Sequence, residues 1–324
     1  MQPLAITVGD PAGIGPEIVA KALRDMSAGE RAGTVVIGNI ATMQRAGALI
    51  GADLVFAPGL GPHPDRAVAT IDIPIAGAVA DGQISPAGGE AAFRAVERAV
   101  ALATSGRVSV IVTAPLNKAA LHAAGHEYDG HTGLLAALTG SPSGYMLLAS
   151  EKLSAIHVST HVSLAEATRR PTLARVLGAI EAGHRHLRRL GMAAPRIAVA
   201  GLNPHSGEGG IFGTEEIDTI GPAIAEARAR GFAVTGPLPG DTVFHRALKG
   251  EFDLVVAQYH DQGHIPVKLI AFDTTVNVTL GLPIERTSVD HGTAFDIAWR
   301  GIADHTNMKA AIAYARRIAA QPAR

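Results

Sequence analysis

The sequence predicts an α/β protein with mostly parallel sheets. Short apolar runs rich in β-branched residues alternate with longer segments of helical periodicity along the 324-residue chain. Hydrophobic residues make up 47% of the chain, enough to bury a large core, and the length suggests two domains. Because no repeat or long low-complexity linker interrupts the pattern, we expect the domains to be joined by main-chain crossings near residues 125 and 275. The expected division is a discontinuous first α/β domain, residues 1–125 plus 275–324, and a second α/β domain, residues 126–274.

The individual elements follow from periodicity. Apolar, β-rich runs are predicted to be strands at residues 4–8, 34–38, 108–113, 145–149, 153–158, 196–202 and 253–258. Segments with apolar residues on one helical face are predicted to be amphipathic helices at residues 90–103, 171–190 and 214–230. Ser163 and Thr214 stand where a capping side chain would open a helix.

Composition excludes several classes of partner. The formal net charge is -1 and the pI is near 6.9, so the chain lacks the clustered positive charge that nucleic acid or an anionic membrane requires. The absence of cysteine excludes disulfides, thiolate metal sites and cysteine nucleophiles. With no signal-like start and no long apolar run, the protein is expected to be cytoplasmic.

Three histidines each follow an apolar run, in a short polar or glycine-rich segment: His161, His205 and His260. In an open parallel sheet the carboxyl ends of the strands face the ligand crevice, so imidazoles from three strands are expected to converge. Three such ligands hold a divalent metal and leave a position for a substrate oxygen. Taken alone, each histidine is better explained by a loop or core role. Their recurrence beside Asp, Glu, Asn or Thr side chains favours the metal site.

The glycine-rich segment GDPAGIGPE at residues 9–17 lies between a predicted strand and a helix. Its spacing is not G-x-G-x-x-G and it contains two prolines, so it is not a dinucleotide fingerprint. Pro16 suits a first helical turn. A turn needed only for folding and a turn that contacts a ligand both remain open.

Near the C-terminus, TSVDHGTAFDIA at residues 287–298 is more distinctive. Together with the opening motif, it is similar to the two ends of the metal-dependent isocitrate and isopropylmalate dehydrogenases. A closer resemblance covers nearly the whole chain: the chain resembles the 4-hydroxythreonine-4-phosphate dehydrogenase family. The matching segments, in the same order, are residues 9–17, GHT at 130–132, GLNPH at 201–205, GEGG at 207–210, GTEE at 213–216, YHDQG at 259–263 and GLPIERTSVDH at 281–291.

The resemblance implies two α/β/α domains of the isocitrate/isopropylmalate dehydrogenase type, with the active site in the interdomain cleft. The domain of residues 126–274 would carry most metal and substrate ligands. It implies a homodimer that uses NAD and a divalent metal, zinc foremost, with magnesium or cobalt as alternatives. The reaction would oxidise the secondary alcohol of a phosphorylated small molecule to a β-keto acid, which then loses carbon dioxide.

By matching position, His161, His205 and His260 correspond to the family's metal ligands, with the third donated across the dimer interface. Positions that bind the phosphorylated substrate in the family correspond to His131, Thr132, Lys268, Asn277 and Arg286. Arg286 is suited to bidentate binding of a phosphate or carboxylate, and Lys268 adds a point charge. Without the resemblance, either cation would be explained as a surface ion-pair partner.

Catalytic roles are predicted for Asp241, Asp261 and Lys268. The two carboxylates are candidates for general base, proton relay or hydrogen-bond partner of a metal ligand. A turn aspartate that caps the following helix is an equal alternative for Asp241.

Cofactor contacts are predicted on two loops. Asp290, His291, Gly292 and Asp296 are implied by the similar dehydrogenases, in which such a loop binds the adenosine part of the cofactor; helix capping is an alternative for Asp296. A glycine-rich loop after a strand lets backbone amides approach phosphate, which points to Gly207, Gly209 and Gly210. NAD is favoured over NADP because no arginine cluster suits an extra phosphate, although Arg300 lies nearby.

Departures from the family pattern concern the substrate. Gly133 stands where glutamate is expected, and GHIPVK at residues 263–268 resembles the branch acting on 4-phospho-D-threonate or 4-phospho-D-erythronate rather than the branch that makes a vitamin B6 precursor. A dehydrogenase of an aromatic cis-dihydrodiol carboxylate is an alternative. A metal-dependent hydrolase or lyase is another, disfavoured because no H-E-x-x-H spacing occurs. A non-catalytic binding module, suggested only by Gly133 and Trp299, is a third.

Overall fold

A computed structural model describes residues 2–63, 67–142 and 144–321. In chain order the strands are β1 Leu4–Thr7, β2 Thr34–Gly38, β3 Phe56–Pro58, β4 Val68–Asp72, β5 Ile111–Thr113, β6 Tyr145–Ala149, β7 Ala155–His157, β8 Ile197–Ala200, β9 Val234–Leu238, β10 Leu254–Ala257, β11 Val276–Leu280 and β12 Arg286–Ser288. The helices are α1 Gly15–Asp25, α2 Ala28–Ala32, α3 Ile40–Leu49, α4 Pro86–Thr104, α5 Lys118–Ala123, α6 His131–Leu138, α7 Leu164–Ala167, α8 Leu173–Arg189, α9 Gly221–Ala229, α10 Gly240–Leu248, α11 His260–Ala271 and α12 Thr306–Ala319.

The chain divides into two compact units. Unit 1 comprises Met1–Gly144 and Leu282–Arg324, and unit 2 comprises Tyr145–Gly281. These crossings lie later in the chain than the expected positions near residues 125 and 275. As a result, His131 and Thr132 belong to unit 1 and Asn277 belongs to unit 2.

Unit 1 is built on a parallel sheet in the order β3-β4-β2-β1-β5-β12. Its central strands are buried along their whole length, as expected for parallel strands covered on both faces. The helix α4 packs its apolar face into the same core, through residues that include Phe93, Val96 and Val100. This helix begins where the Ser85 side chain accepts a hydrogen bond from the Gly88 N–H, with Pro86 in its first turn.

Unit 2 carries a mixed sheet in the order β11-β6-β7-β10-β8-β9. The strands β7, β10, β8 and β9 are parallel, whereas β6 pairs antiparallel with both β11 and β7. The core on one side of this sheet includes Leu148, Ala198 and Val255. The carboxyl ends of β7, β10 and β8 therefore lie side by side at one edge of the sheet.

The α/β class with mostly parallel sheets is confirmed. Every predicted strand is present, and the largest shift is at β5, which begins at Ile111 rather than at residue 108. The segment 214–230 is not one α-helix: a π-helical turn, Glu216–Ile220, precedes α9. Ser163 caps α7 as predicted, and the Thr214 carbonyl accepts the Asp218 N–H at 2.8 Å where the π-helical turn begins.

No helix among the described residues is long and apolar enough to cross a bilayer.

Candidate active site

The three predicted metal-binding histidines follow adjacent parallel strands of unit 2. His161 comes after β7, His260 after β10 and His205 after β8, in the spatial order of the sheet. The rings of His161 and His260 are neighbours, with centroids 5.7 Å apart. Within residues 2–63, 67–142 and 144–321, no group of three or more His, Asp or Glu side chains of one chain is placed to hold a metal ion. One chain alone therefore does not assemble the predicted set of three.

Two further histidines, His264 and His157, belong to the same cluster as His260. The His264 ring stacks on the His260 ring at a centroid distance of 3.6 Å. The His157 Nδ1 lies 3.1 Å from the Met146 carbonyl, and the His157 Nε2 lies 3.1 Å from the His264 Nδ1. Because a carbonyl only accepts, His157 carries its proton on Nδ1, and its Nε2 accepts a hydrogen bond from the His264 Nδ1–H, which also lies 3.0 Å from the His260 carbonyl. Burial lowers the pKa of His157 to about 4 and that of His264 to about 3, so both rings are neutral near pH 7.

The hydrogen-bond partners of His205 and His260 fit a metal-binding role. The His205 Nδ1 is 2.8 Å from a Glu208 carboxylate oxygen, and the His260 Nδ1 is 2.6 Å from an Asp261 oxygen. Each carboxylate accepts a hydrogen bond from the Nδ1–H of its histidine. The Nε2 lone pair of each ring is then available to bind a cation. The donor set of imidazoles with carboxylate partners suits zinc or a similar divalent ion.

His205 lies in an unusual stretch of backbone. Six consecutive residues have positive φ: His205 (51°), Ser206 (55°), Gly207 (79°), Glu208 (45°), Gly209 (68°) and Gly210 (103°). A left-handed conformation costs about 1–2 kcal/mol for each non-glycine residue, so surrounding contacts must stabilise this left-handed turn. Strain of this kind is typical of functional sites.

A pocket of about 600 Å³ lies beside this turn in unit 2, lined by residues that follow β8, β9 and β10. His205, Asp241, Tyr259 and Asp261 contribute to its wall. The Glu208 hydrogen bond raises the pKa of His205, and the charge of Asp241 adds to this effect. Asp241 is in the first turn of α10, whose N-cap is Pro239, so Asp241 is not the capping residue of that helix.

A second polar site in unit 1 surrounds Arg286. The guanidinium is only 3% exposed and donates from Nε and Nη2 to the Thr113 hydroxyl, at 3.1 and 2.7 Å. Burial lowers the pKa of Arg286 to about 9. Burial, together with the charge of Arg286, also holds the pKa of His131 well below its usual value, and the His131 Nε2 is buried without a protein hydrogen-bond partner.

The other predicted substrate contacts are distributed over both units. Thr132 follows His131 in the first turn of α6, where Gly130 provides no capping side chain. In unit 2, the Asn277 Oδ1 on β11 is buried without a protein hydrogen-bond partner. Lys268 lies on α11, with its Nζ 5.7 Å from the Phe272 ring centroid. In unit 1, a Cβ at Gly133 would lie 2.4 Å from the Asp129 Oδ1, the end of a flexible side chain, so packing on the backbone does not account for this glycine.

The predicted cofactor residues fall into two environments. His291, Gly292 and Asp296 are exposed in the loop after β12, and the Asp290 N–H donates to the Asn307 side chain. Asp296 lies in a turn that opens no helix, so the capping alternative for it is wrong.

The opening motif packs against this loop, since the Ile14 N–H donates to the Thr293 carbonyl at 3.0 Å. A Cβ at Gly9, whose φ is +74°, would lie 2.1 Å from the Pro115 oxygen. Packing therefore explains Gly9.

The glycines after β8 differ in their surroundings. A Cβ at Gly207 would lie 2.7 Å from a Glu216 oxygen, so protein packing explains that glycine. A Cβ at Gly209 would meet nothing within 4 Å. Gly210 has a φ of +103° and similarly few close neighbours.

Three features of the sites are not predicted by the sequence. Glu216, which resembles part of a capping segment, instead reaches back to the backbone of Leu202 and Asn203. The buried pair His157 and His264 is only weakly marked in the sequence. His157 lies inside a strand, and His264 follows His260 by four residues, the spacing of one helical turn. Asp10 is 1% exposed, and burial raises its pKa to about 6. Its Oδ2 has no protein hydrogen-bond partner.

Fold and side chains together define an α/β protein with a cluster of histidines in one unit and a buried arginine and histidine in the other. The family model described as "Pyridoxal phosphate biosynthetic protein PdxA" matches residues 30–315. The chain belongs to this PdxA family, which confirms the resemblance drawn from its motifs.

Individual relatives give the same assignment. The chain is 48% identical to a D-threonate 4-phosphate dehydrogenase of Cupriavidus necator, over 99% of this chain and 98% of the relative. It is similar to the crystal structure of a 4-hydroxythreonine-4-phosphate dehydrogenase from Klebsiella pneumoniae, with a TM-score of 0.88, 46% identity and 98% coverage of each chain. A terephthalate 1,2-cis-dihydrodiol dehydrogenase from Burkholderia xenovorans matches with a TM-score of 0.71 and 32% identity, again over 98% of each chain. All three relatives are dehydrogenases by name.

Proposed function

We propose that this protein is a dehydrogenase that oxidises the secondary alcohol of a 4-phosphorylated four-carbon hydroxy acid, using NAD and a divalent metal, to a β-keto acid that decarboxylates. The observation that carries this proposal is the buried cationic site of unit 1. Arg286 is held by Thr113 in a place where burial disfavours its charge, and His131 beside it has a buried nitrogen without a protein partner. A phosphate would give the His131 Nε2 a hydrogen-bond partner and would place negative charge beside the Arg286 guanidinium.

The phosphate is expected to bind by charge and by directed hydrogen bonds. A phosphate oxygen accepts in-plane N–H groups of the Arg286 guanidinium, while the Thr113 hydroxyl fixes its orientation. The uncapped first turn of α6, with His131 and Thr132, adds backbone N–H groups and the positive end of a helix dipole. In unit 2, Lys268 and Asn277 are proposed as further substrate contacts, because Lys268 supplies positive charge and the Asn277 Oδ1 supplies a buried acceptor.

The residues of unit 2 are proposed to bind the metal and to accept the proton of the substrate hydroxyl. His161, His205 and His260 would supply imidazole nitrogens, and Glu208 and Asp261 fix the rings of His205 and His260 in the tautomer that binds a cation. A divalent cation held there would supply positive charge that favours ionisation of the alcohol and polarisation of the ketone. Asp241 faces the same pocket as His205 and is our candidate for accepting the hydroxyl proton.

The nicotinamide cofactor is proposed to contact the exposed loop after β12. Asp290, His291, Gly292 and Asp296 are the candidates there, and NAD accepts the hydride. Gly209 and Gly210 remain candidates for contact with a ligand, because nothing of the protein packs closely on Gly209. Gly207 is a weaker candidate, since Glu216 occupies its open side.

A homodimer is proposed to complete the metal site, with one imidazole of the set supplied by a second copy. Exposed apolar side chains lie near both parts of the site. Ile265, Leu269 and Phe272 form a stripe on α11, the helix that begins at His260, and are 63%, 82% and 70% exposed. Ile211 and Phe212, which follow the left-handed turn, are 74% and 49% exposed. Contiguous exposed apolar surface of this kind is typical of a protein interface.

The D-threonate branch is proposed as the substrate class. Its support is the name of the Cupriavidus relative and the GHIPVK segment at residues 263–268. Identity alone does not separate the branches, because the Klebsiella 4-hydroxythreonine-4-phosphate dehydrogenase is 46% identical. The dihydrodiol alternative rests on a relative at 32% identity.

The test measures the reduction of NAD with a panel of substrates, by the absorbance of reduced nicotinamide. Purified protein with NAD and a divalent metal is given 4-phospho-D-threonate, 4-phospho-D-erythronate, 4-hydroxythreonine-4-phosphate or a terephthalate dihydrodiol, each with and without chelator. We expect chelator-sensitive reduction with the phosphorylated acids, fastest with a threonate or erythronate. Reduction with the dihydrodiol alone would overturn the proposed substrate class.

A further inference from the structure

Beyond the residues proposed to touch metal or substrate, we infer that the buried carboxylate of Glu216 is a positioning residue for His205. The inference rests on the proposed function, in which His205 is a metal ligand. Glu216 is the first residue of the π-helical turn and is only 5% exposed. Glu216 follows the left-handed turn in the chain. Its side chain nevertheless contacts Leu202 and Asn203, the segment that leads into that turn and to His205.

The contacts of Glu216 are all with hydrogen-bond donors. Its Oε1 accepts the Leu202 N–H at 2.7 Å and the Asn203 N–H at 2.8 Å. Its Oε2 accepts the Asn203 Nδ2 at 3.0 Å. Both carboxylate oxygens therefore bind the two residues that connect β8 to Pro204 and His205. A carboxylate suits this place because it offers only acceptors.

The left-handed turn also packs directly on this carboxylate. A Cβ at Gly207 would lie 2.7 Å from the Glu216 Oε2, and a Cβ at Gly201 would lie 3.0 Å from the Glu216 Oε1. The Ser206 N–H donates to the Asn203 carbonyl at 3.1 Å, which links the anchored segment to the turn. Since three non-glycine residues of the turn have positive φ, the turn depends on such contacts to keep the His205 ring in place.

The neighbouring Glu215 provides a matched control. Its Oε2 accepts the same Asn203 Nδ2, at 2.6 Å, but it makes neither of the two backbone contacts. A glutamine at 215 can turn its carbonyl oxygen towards Asn203 and keep the bond. At 216 the amide NH₂ of a glutamine would face an N–H donor in either orientation.

The experiment measures Co²⁺ affinity of the full-length protein after chelation, by calorimetry and by the visible absorption of bound Co²⁺. The variants are Glu216→Gln, Glu215→Gln, His205→Ala and the double variant His205→Ala/Glu216→Gln, each first compared with the wild type in oligomeric state. We expect Glu216→Gln to weaken Co²⁺ binding on the order of 10- to 100-fold and to change the absorption of the Co²⁺ that binds. Glu215→Gln should bind Co²⁺ as the wild type does.

The double variant separates positioning from a general structural role. If Glu216 acts through His205, Glu216→Gln adds no further loss of affinity once His205 is alanine. Wild-type affinity in Glu216→Gln, or a full additional loss on top of His205→Ala, overturns the inference. If His205→Ala itself leaves affinity unchanged, the proposed metal site is wrong at His205, and this inference fails with it.

A second variant covers the case in which Glu216→Gln does not fold. Gly207→Ala keeps the carboxylate but places a methyl group against its Oε2 at a φ of +79°. We expect the same loss of Co²⁺ affinity and the same dependence on His205. Wild-type affinity in Gly207→Ala would overturn the inference.

Discussion

Arg286 and His131 are the two buried groups that we propose as the phosphate site of this nearly neutral protein. A guanidinium buried beside a neutral imidazole is costly, because both groups lose hydration and the positive charge disfavours protonation of the ring. A bound phosphate would offset both effects, by Coulomb attraction and by accepting hydrogen bonds. The sequence predicted Arg286 and His131 from the family motif, whereas the orienting Thr113 gives no local signal because it lies 173 residues from Arg286.

Replacing Arg286 with lysine tests the directed part of this interaction. Lysine keeps the positive charge but not the planar fork that the Thr113 hydroxyl orients. We expect Arg286→Lys to raise the KM for the phosphorylated substrate on the order of 10- to 100-fold, from the loss of one charged hydrogen bond. The control is Arg196→Lys, at an exposed arginine paired with Asp253. An unchanged KM in Arg286→Lys would show that the phosphate binds elsewhere.

Asp10 gives a prediction for pH dependence. Burial raises its pKa to about 6, whereas an unfolded aspartate titrates near 4, so the folded state binds the proton more tightly. Its stabilising contribution is complete below about pH 4 and is lost as the pH rises to about 6. Asp10→Asn should therefore raise the free energy of unfolding above pH 7 by about 1–3 kcal/mol, with little effect at pH 4. Urea unfolding at both pH values measures this, and an equal gain at both would contradict the assigned pKa.

The carboxyl ends of β8 and β10 are tied together by two glutamines. The Gln258 Nε2 donates to the Ala200 carbonyl and the Gln262 Nε2 donates to the Gly201 carbonyl, each at 2.7 Å. The Gln262 Oε1 accepts the Gln258 N–H at 2.7 Å. These bonds fix the relative position of the strand ends from which His205 and His260 are presented. In Gln262 both the amide donor and the amide acceptor are used, so a carboxylate cannot replace this amide.

Glutamate at 262 tests this arrangement. In Gln262→Glu one carboxylate oxygen would face the Gly201 carbonyl, and two acceptors would meet where a hydrogen bond now forms. We expect a loss of about 1–3 kcal/mol in the free energy of unfolding. Gln44→Glu, at an exposed position on α3, is the matched control. Equal urea midpoints for the two variants would show that the glutamine bonds contribute little.

The elements that the sequence predicted are those with continuous apolar runs, such as β2 and β6. It does not predict β12, because Arg286, Thr287 and Ser288 are polar, yet all three are buried. Likewise, the π-helical turn at Glu216–Ile220 depends on contacts with Leu202 and Asn203 that no local spacing encodes. Hydrogen bonds between residues distant in the sequence therefore accompany the elements that hydrophobic periodicity does not predict.

At the scale of the whole molecule, the sequence predicted two α/β units but placed both crossings too early. No change in composition marks residues 144 and 281: the first crossing lies between α6 and β6, and the second lies between β11 and β12. The consequence is functional, since His131 and Thr132 belong to the unit that contains Arg286. The exposed apolar side chains on and just after α11 are the surface on which we place the interface of the proposed homodimer.

A charge on this stripe should separate the proposed dimer. Leu269 is 82% exposed, and burying such a side chain contributes about 2 kcal/mol in each copy. Leu269→Asp should therefore give monomers by size-exclusion chromatography with light scattering, and should weaken metal binding if the site is shared. Val55→Asp, at a 57% exposed residue in unit 1, is the control. A dimeric Leu269→Asp protein would place the interface elsewhere.

The central claim is that a phosphorylated hydroxy acid is oxidised at a metal site, and the most direct test is the initial rate of NAD reduction with D-threonate 4-phosphate and with unphosphorylated D-threonate at equal concentration. Our account predicts a rapid rate only for the phosphorylated acid, abolished by chelation and restored by a divalent metal. Equal rates for the two acids, or a rate that chelation leaves unchanged, would contradict it.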